Sequence, residues 1–184
     1  ELKVPGIHNV YNSLACIAVC DKYKLELKDV LTALEKFGGA KRRFEKKGEY
    51  NGALIYDDYA HHPSEIKATL LAAKEKKARR ILCVFQPHTY TRTKTLLNEF
   101  SEAFYNADNV IITDIYAARE KDTGEISSKD LVNRIEKTSN NAVYIKDFKD
   151  IEKYVEKELK PGDLFITIGA GDVYKIGDEI VSGR

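Results

Sequence analysis

Between positions 57 and 62 the chain lines up two carboxylates, a phenol and two imidazoles in Asp57-Asp58-Tyr59-Ala60-His61-His62, closed by Pro63. Such side chains can accept from sugar hydroxyls, donate to anions or hold a proton near neutrality. The apolar run Ala53-Leu54-Ile55-Tyr56 precedes them and a helix-forming stretch, 64–77, follows. The cluster therefore falls where a buried strand gives way to a helix. In open α/β sheets that crevice, outside the carboxyl ends of the strands, is where ligands bind. Pro63 is pre-set for a first helical position, and the free N–H groups of the next turn favour anions.

Three more polar stretches follow apolar runs in the same way: Gln86-Pro87-His88-Thr89-Tyr90-Thr91-Arg92, Asp114-Ile115-Tyr116-Ala117-Ala118-Arg119-Glu120 and Gly169-Ala170-Gly171-Asp172. All four should converge on one sheet edge, offering groups for phosphate, sugar hydroxyl or carboxylate. The opposite edge, with Lys76-Lys77-Ala78-Arg79, reads as merely charged and solvated. Asp57 and Asp58 alternate across the strand end, so they are not an acid–base pair; Asp58 either caps the turn or accepts from a ligand. His61, beside a helix N-terminus, suits a neutral hydrogen-bonding role. His62 is either a turn or capping residue or part of the site. Arg92 either holds phosphate with its fork or is a solvated first-turn residue. Gly169-Ala170-Gly171 lacks the third glycine of a dinucleotide fingerprint, which excludes a nicotinamide reading, and no Gly-x-x-x-x-Gly-Lys-Ser/Thr is present to cradle a triphosphate.

The elements that must position these loops follow from periodicity. Pro5-Gly6 marks a turn, then 8–22 reads as a helix with Val10, Leu14, Ile17 and Ala18 on one side. A second helix, 26–37, carries Leu27, Val30, Leu31 and Leu34 and stops at Gly38-Gly39. Two helices alone make a thin core, so this pair is expected to lie against a further part of the protein. Asn51-Gly52 between 43–47 and 53–56 predicts a hairpin. Strands then alternate with helices: helix 64–77, strand 80–85, helix 92–106, strand 109–113, a helix capped by Ser127 or Ser128 and ending near Lys137, strand 142–145, a helix from Asp147, and strand 164–168 after Lys160-Pro161-Gly162-Asp163. The fold class is therefore α/β, a Rossmann-like doubly wound sheet of about five parallel strands plus one antiparallel hairpin strand, preceded by a helix pair.

The 184 residues suit one ordinary domain with an appendage, large enough to hold a core without disulfides or metal. With 30 basic against 29 acidic residues, nothing argues for nucleic acid or a membrane surface. No apolar run approaches the length of a membrane span and no signal peptide opens the chain. Cys16, Cys20 and Cys83 lie in apolar runs and read as buried free thiols of a reducing cytoplasm. The opening Glu1-Leu2-Lys3-Val4 reads as a cut inside a longer protein.

Five motifs, in order, resemble the Mur ligase family: Gly6-Ile7-His8-Asn9-Val10-Tyr11-Asn12, Lys41-Arg42-Arg43-Phe44, Asp57 to Pro63 with Glu65-Ile66, Phe85-Gln86-Pro87-His88 through Thr93, and Gly169 to Asp172. The Gln-Pro-His-x-Tyr-Thr-Arg-Thr piece points to the member that joins L-alanine to UDP-N-acetylmuramate. Such ligases have three domains, for the UDP-sugar, for ATP hydrolysis and a Rossmann-like C-terminal one. The resemblance implies that 1–37 is the tail of the central domain and 38–184 the C-terminal domain, inactive alone. It also implies ATP and Mg2+ as cofactors, with no metal ligand carried by this chain, and the cytoplasm as location. By resemblance, His8, Asn9 and Asn12 read the adenine, Arg43 reaches the ATP phosphates or ribose, and Asp58 accepts from ribose. Tyr59, His61, His88 and Arg92 face the UDP-sugar and the forming acyl phosphate, and Gly169, Gly171 and Asp172 form a strand-end loop. Thr89 departs from the arginine common among relatives. Two other readings stay open: a ligase that recycles murein tripeptide, and a free-standing α/β module binding an anion or a partner protein. An exposed helix pair would also favour self-association.

Overall fold

The computed structural model describes residues 1–4, 6–138 and 141–183. The chain forms two compact units, Glu1–Lys41 and Arg42–Arg184. Pro5 of the expected Pro5-Gly6 turn lies outside the described residues.

The first unit is a helix pair, α1 (Ile7–Lys22) and α2 (Leu27–Lys36). Val30 is its buried apolar residue, while Leu27 and Leu31 are exposed. Val10, Leu14 and Ile17 of α1 face Leu27, Leu31 and Leu34 of α2 across a groove of about 670 Å³. Cys16 is exposed and Cys20 half-buried, against the expectation of burial, because two helices are too few to enclose both sides of α1.

The second unit is the α/β body. In chain order it runs β1 (Glu45–Tyr50), β2 (Ala53–Asp58), α3 (Pro63–Glu75), β3 (Ile81–Phe85), α4 (Tyr90–Thr95), α5 (Leu97–Ser101), β4 (Asn109–Ile112), α6 (Ser128–Glu136), β5 (Ala142–Tyr144), α7 (Phe148–Glu158), β6 (Leu164–Ile168) and α8 (Tyr174–Ser182). The sheet order is β1-β2-β6-β3-β4-β5. Among the described residues, only the β1–β2 pair is antiparallel. Asn51 and Gly52, at φ 47° and 74°, make the turn between them, both in the left-handed region that a tight hairpin requires.

Every residue of β3 and β6 is buried, which explains why these strands read as continuous apolar runs. One sheet face packs Phe85 against Phe100 and Phe104, with Ile66, Leu70 and Leu131 from the helices around them. The other packs Ile55, Leu82, Val84 and Phe165 against Ile151 and Val155 of α7 and Ile176 and Ile180 of α8. Each such side chain stabilises the fold by roughly 1.5–3 kcal/mol. The register puts Asp58, Ile168, Phe85, Ile112 and Tyr144 in one row across the sheet. The chain after each of these residues therefore enters the same rim.

Two elements differ from expectation. The helix expected over 92–106 starts at Tyr90, breaks at Leu96 and ends at Ser101. Four of its first six residues are Tyr or Thr, poor helix formers, and Thr93 Oγ1 turns back to the carbonyl of Thr89 at 2.7 Å. Helix α8 was not foreseen, since its few apolar residues, among them Ile176, Ile180 and Val181, flank a glycine. Gly177 packs toward Ile55, at a distance where a β-carbon would make ordinary contact (3.5 Å).

Candidate functional site

The rim begins with α3. Pro63 takes the first helical position and His62 the N-cap, its Nδ1 accepting from Ser64 N. Glu65 Oε2 accepts from the N–H groups of His61 and His62 at 2.9 and 3.1 Å. His62 is thus a capping residue. The cap turns His61 inward over the rim, where its Nδ1 lies 3.1 Å from Tyr59 O and 3.5 Å from Glu65 Oε2. Both are acceptors, so Nδ1 carries a proton, and in the neutral ring Nε2 is the acceptor.

From the β3 loop, His88 meets His61 with ring centroids 5.9 Å apart and stacks on Tyr116 of the β4 loop at 5.6 Å. Arg92 Nη1 is 3.1 Å from His88 Nδ1. An arginine can only donate, so His88 bears its proton on Nε2. Burial first, then Arg92 and His61, hold the His88 pKa below its ordinary value and the ring neutral. The two imidazoles offer one acceptor and one donor side by side. Thr89 follows at φ 67°, a strained region for a β-branched residue, held by its N–H to Tyr116 O at 2.9 Å. Its Oγ1 accepts from Arg92 N at 3.4 Å, starting the helix that carries Arg92.

The β6 loop closes the ring through Arg42, next to the expected Arg43. Arg42 Nε donates to Asp57 Oδ2 at 2.9 Å, Nη1 to Gly171 O at 3.1 Å and Nη2 to Gly169 O at 2.6 Å. Its guanidinium also covers the rings of Tyr59 and Tyr174, at 5.0 and 4.5 Å. Asp57 is fully buried and takes a second bond from Thr167 Oγ1 at 2.7 Å. Burial pushes its pKa up, against the lowering by Thr167 and Arg42. The signal for Arg42 was present as a basic residue facing a buried carboxylate, but pairing over 15 positions needs the hairpin register.

Asp58 proves to be the turn residue. Its Oδ2 accepts from Phe44 N and its Oδ1 from Ala60 N, both at 2.8 Å, and it is 6% exposed. A bond to ribose hydroxyls needs an oxygen at the surface, so the geometry favours the capping alternative. Arg43 is exposed and leans over Tyr59 at 5.6 Å, open to an anion. Gly169 and Gly171 are buried beside Gln86, and Asp172 pairs with Lys175 at 3.2 Å. In the first unit, His8 and Asn12 are exposed on α1, with Asn12 Nδ2 3.5 Å from Asn9 Oδ1. Among the described residues, no group of three or more His, Cys, Asp or Glu could hold a metal ion. No described helix is long and apolar enough to cross a membrane.

Four loops thus meet in a closed circuit, Tyr59–His61–His88–Tyr116–Gly171–Arg42, at the carboxyl edge of the sheet. Residues 42–171 match the Mur ligase glutamate ligase domain. The chain belongs to the Mur ligase family. It is 57% identical over its whole length to the UDP-N-acetylmuramate–L-alanine ligase of Acetivibrio thermocellus, of which it covers 39%. The crystal structure of the UDP-N-acetylmuramate–alanine ligase MurC of Thermotoga maritima superposes with a TM-score of 0.83 at 32% identity, over 99% of this chain and 39% of that one. A murein peptide ligase from Psychrobacter arcticus gives 0.71 at 26%, over 99% and 38%. This Mur ligase chain therefore spans about two fifths of the length of the relatives it matches.

Proposed function

We propose that this chain is the C-terminal part of an ATP-dependent ligase that joins L-alanine to UDP-N-acetylmuramate in peptidoglycan precursor synthesis in the cytoplasm. In this reading residues 1–37 are the tail of the ATPase domain. The observation that carries the reading is the closed rim, in which groups from four separate loops reach one another. The chain's likeness to alanine-adding relatives supports that substrate class.

The chemistry has two steps. The sugar's lactyl carboxylate takes a phosphoryl group from ATP, and the amino acid's amine then displaces phosphate to give the amide. The rim acts by position and charge, without a covalent enzyme intermediate. His61 and His88 present their acceptor and donor to the sugar side, and Arg92 stabilises the anionic acyl phosphate. Arg43 serves the ATP phosphates and Asn9 and Asn12 the adenine, an edge that an amide can read by donating and accepting at once. In this reading Mg2+ is held by the rest of the ligase.

The test is alanine-dependent phosphate release by the full-length enzyme carrying this chain. Release that depends on murein tripeptide instead would move the reading to the recycling ligase, and none with either would end it. The isolated chain should bind ATP no tighter than about millimolar, roughly −4 kcal/mol, by calorimetric titration.

A further inference from the structure

Gln86 is 7% exposed, and its side-chain oxygen Oε1 is buried without a hydrogen-bond partner. It lies at the bottom of the rim, where the β3 and β6 loops touch. A β-carbon on Gly171 would overlap Oε1 and meet the Tyr116 ring at 3.0 Å, while one on Gly169 would lie 2.9 Å from Gln86 O. The two glycines are therefore the socket into which Gln86 fits. This explains a Gly-x-Gly that is not a dinucleotide fingerprint.

Packing explains the size of Gln86 but not its polarity. A methionine would fill the socket without burying an unanswered acceptor, which is costly in a folded protein. A donor that arrives with a ligand answers the oxygen. The torsion about the last side-chain bond of glutamine is broad, so Oε1 can turn toward the rim at little cost. The surroundings define the donor. Arg42 is bonded to Gly171 O, Arg92 stands beyond His88, and His88 is neutral. Cations nearby disfavour an ammonium and favour the free amine. That is the form a nucleophile must have.

We propose that Gln86 Oε1 accepts an N–H of the incoming amino acid's amine and orients its lone pair, an assignment that rests on the ligase reading above. The amine nitrogen forms the C–N bond at the acyl phosphate carbonyl. The C–O bond to phosphate breaks, phosphate leaves with its electron pair, and the surplus proton of the new amide nitrogen passes to it. The neutral carboxamide holds an N–H without stabilising the extra proton of an ammonium, which a carboxylate at this position would do.

The test uses the full-length enzyme with Gln86→Met and Gln86→Glu. Gln86→Met should raise the amino-acid KM about tenfold or more, with the KM values for ATP and UDP-sugar unchanged and the melting temperature no lower than in wild type. Gln86→Glu should keep amino-acid binding, lower kcat and move the rise of the pH–rate profile to higher pH. An unchanged amino-acid KM in Gln86→Met, a rise in all three KM values together, or a rise for the UDP-sugar alone would overturn the assignment. An unshifted pH profile in a folded Gln86→Glu enzyme would do the same. If wild-type enzyme releases no phosphate with any amino acid, the ligase reading fails first and this assignment goes with it.

Discussion

Two fully buried aspartates mark the two edges of the sheet, and they have opposite surroundings. At the amino edge, Asp163 lies with Oδ2 2.9 Å from Arg80 Nη2 and Oδ1 2.8 Å from Arg79 Nη2, the latter off the hydrogen-bonding direction. Its Oδ2 also accepts from Lys160 N at 3.0 Å, and Arg80 bonds onward to Glu158 O at 2.7 Å. Every link there ends within the same turn-and-helix junction. At the carboxyl edge, Asp57 holds Arg42, and Arg42 goes on to hold the β6 loop and two aromatic rings of the rim. The same pair of residue types is a lock at one edge and a bracket for movable chemistry at the other. The amino edge is thus more than charged and solvated, as the sequence suggested, because Arg79 and Arg80 straddle a buried carboxylate.

The contrast is most sharply tested by removing each aspartate's partnership. Asp163→Ala strands Arg80 and should lower the stability of the α/β unit by about 3–5 kcal/mol, with a fall in melting temperature on the order of 10 °C. Ligand binding by molecules that remain folded should be unchanged. Arg42→Ala leaves Asp57 buried and unpaired, a loss of about 3 kcal/mol, and should also weaken UDP-sugar binding in the full-length enzyme. Arg42→Lys keeps the charge but loses the fork, so stability should recover more than binding does. Equal functional losses for Asp163→Ala and Arg42→Ala at matched folded fractions would erase the distinction between the edges.

The smallest effect concerns His88. Its folded pKa lies below the ordinary 6.5, so between the two values the unfolded chain binds more protons. The stability held by the neutral ring is complete above about 6.5 and is lost as pH falls through that value toward the folded one. The melting temperature should decline from pH 7 to 5.5 more in wild type than in His88→Asn. Parallel curves would show that His88 is not held neutral by its site.

Much of this was legible in the residues. Asn51-Gly52, Pro63 and the Ser127 cap each fix a local conformation through their own chemistry, so their elements fell where expected. The convergence of His61, His88, Arg92 and Gly171 followed from topology alone. Asp58 was harder to place because its partners, Phe44 N and Ala60 N, are backbone groups that leave no residue-type signature, and Arg42 because its pairing with Asp57 needs the hairpin register. Gln86 gave no periodic or motif signal of burial, and its fit against Gly171 exists only once β3 and β6 are adjacent.

The margins of the sheet carry one more consequence. On one side β1 presents Lys46 and Lys47 and is kinked by a bulge between Lys46 and Gly48; on the other, β5 is only three residues long. Charge, distortion and brevity each discourage a foreign strand from docking. If this chain associates with itself at high concentration, the contact should involve the leucines of its helix pair, and strand-to-strand growth into fibres should be absent.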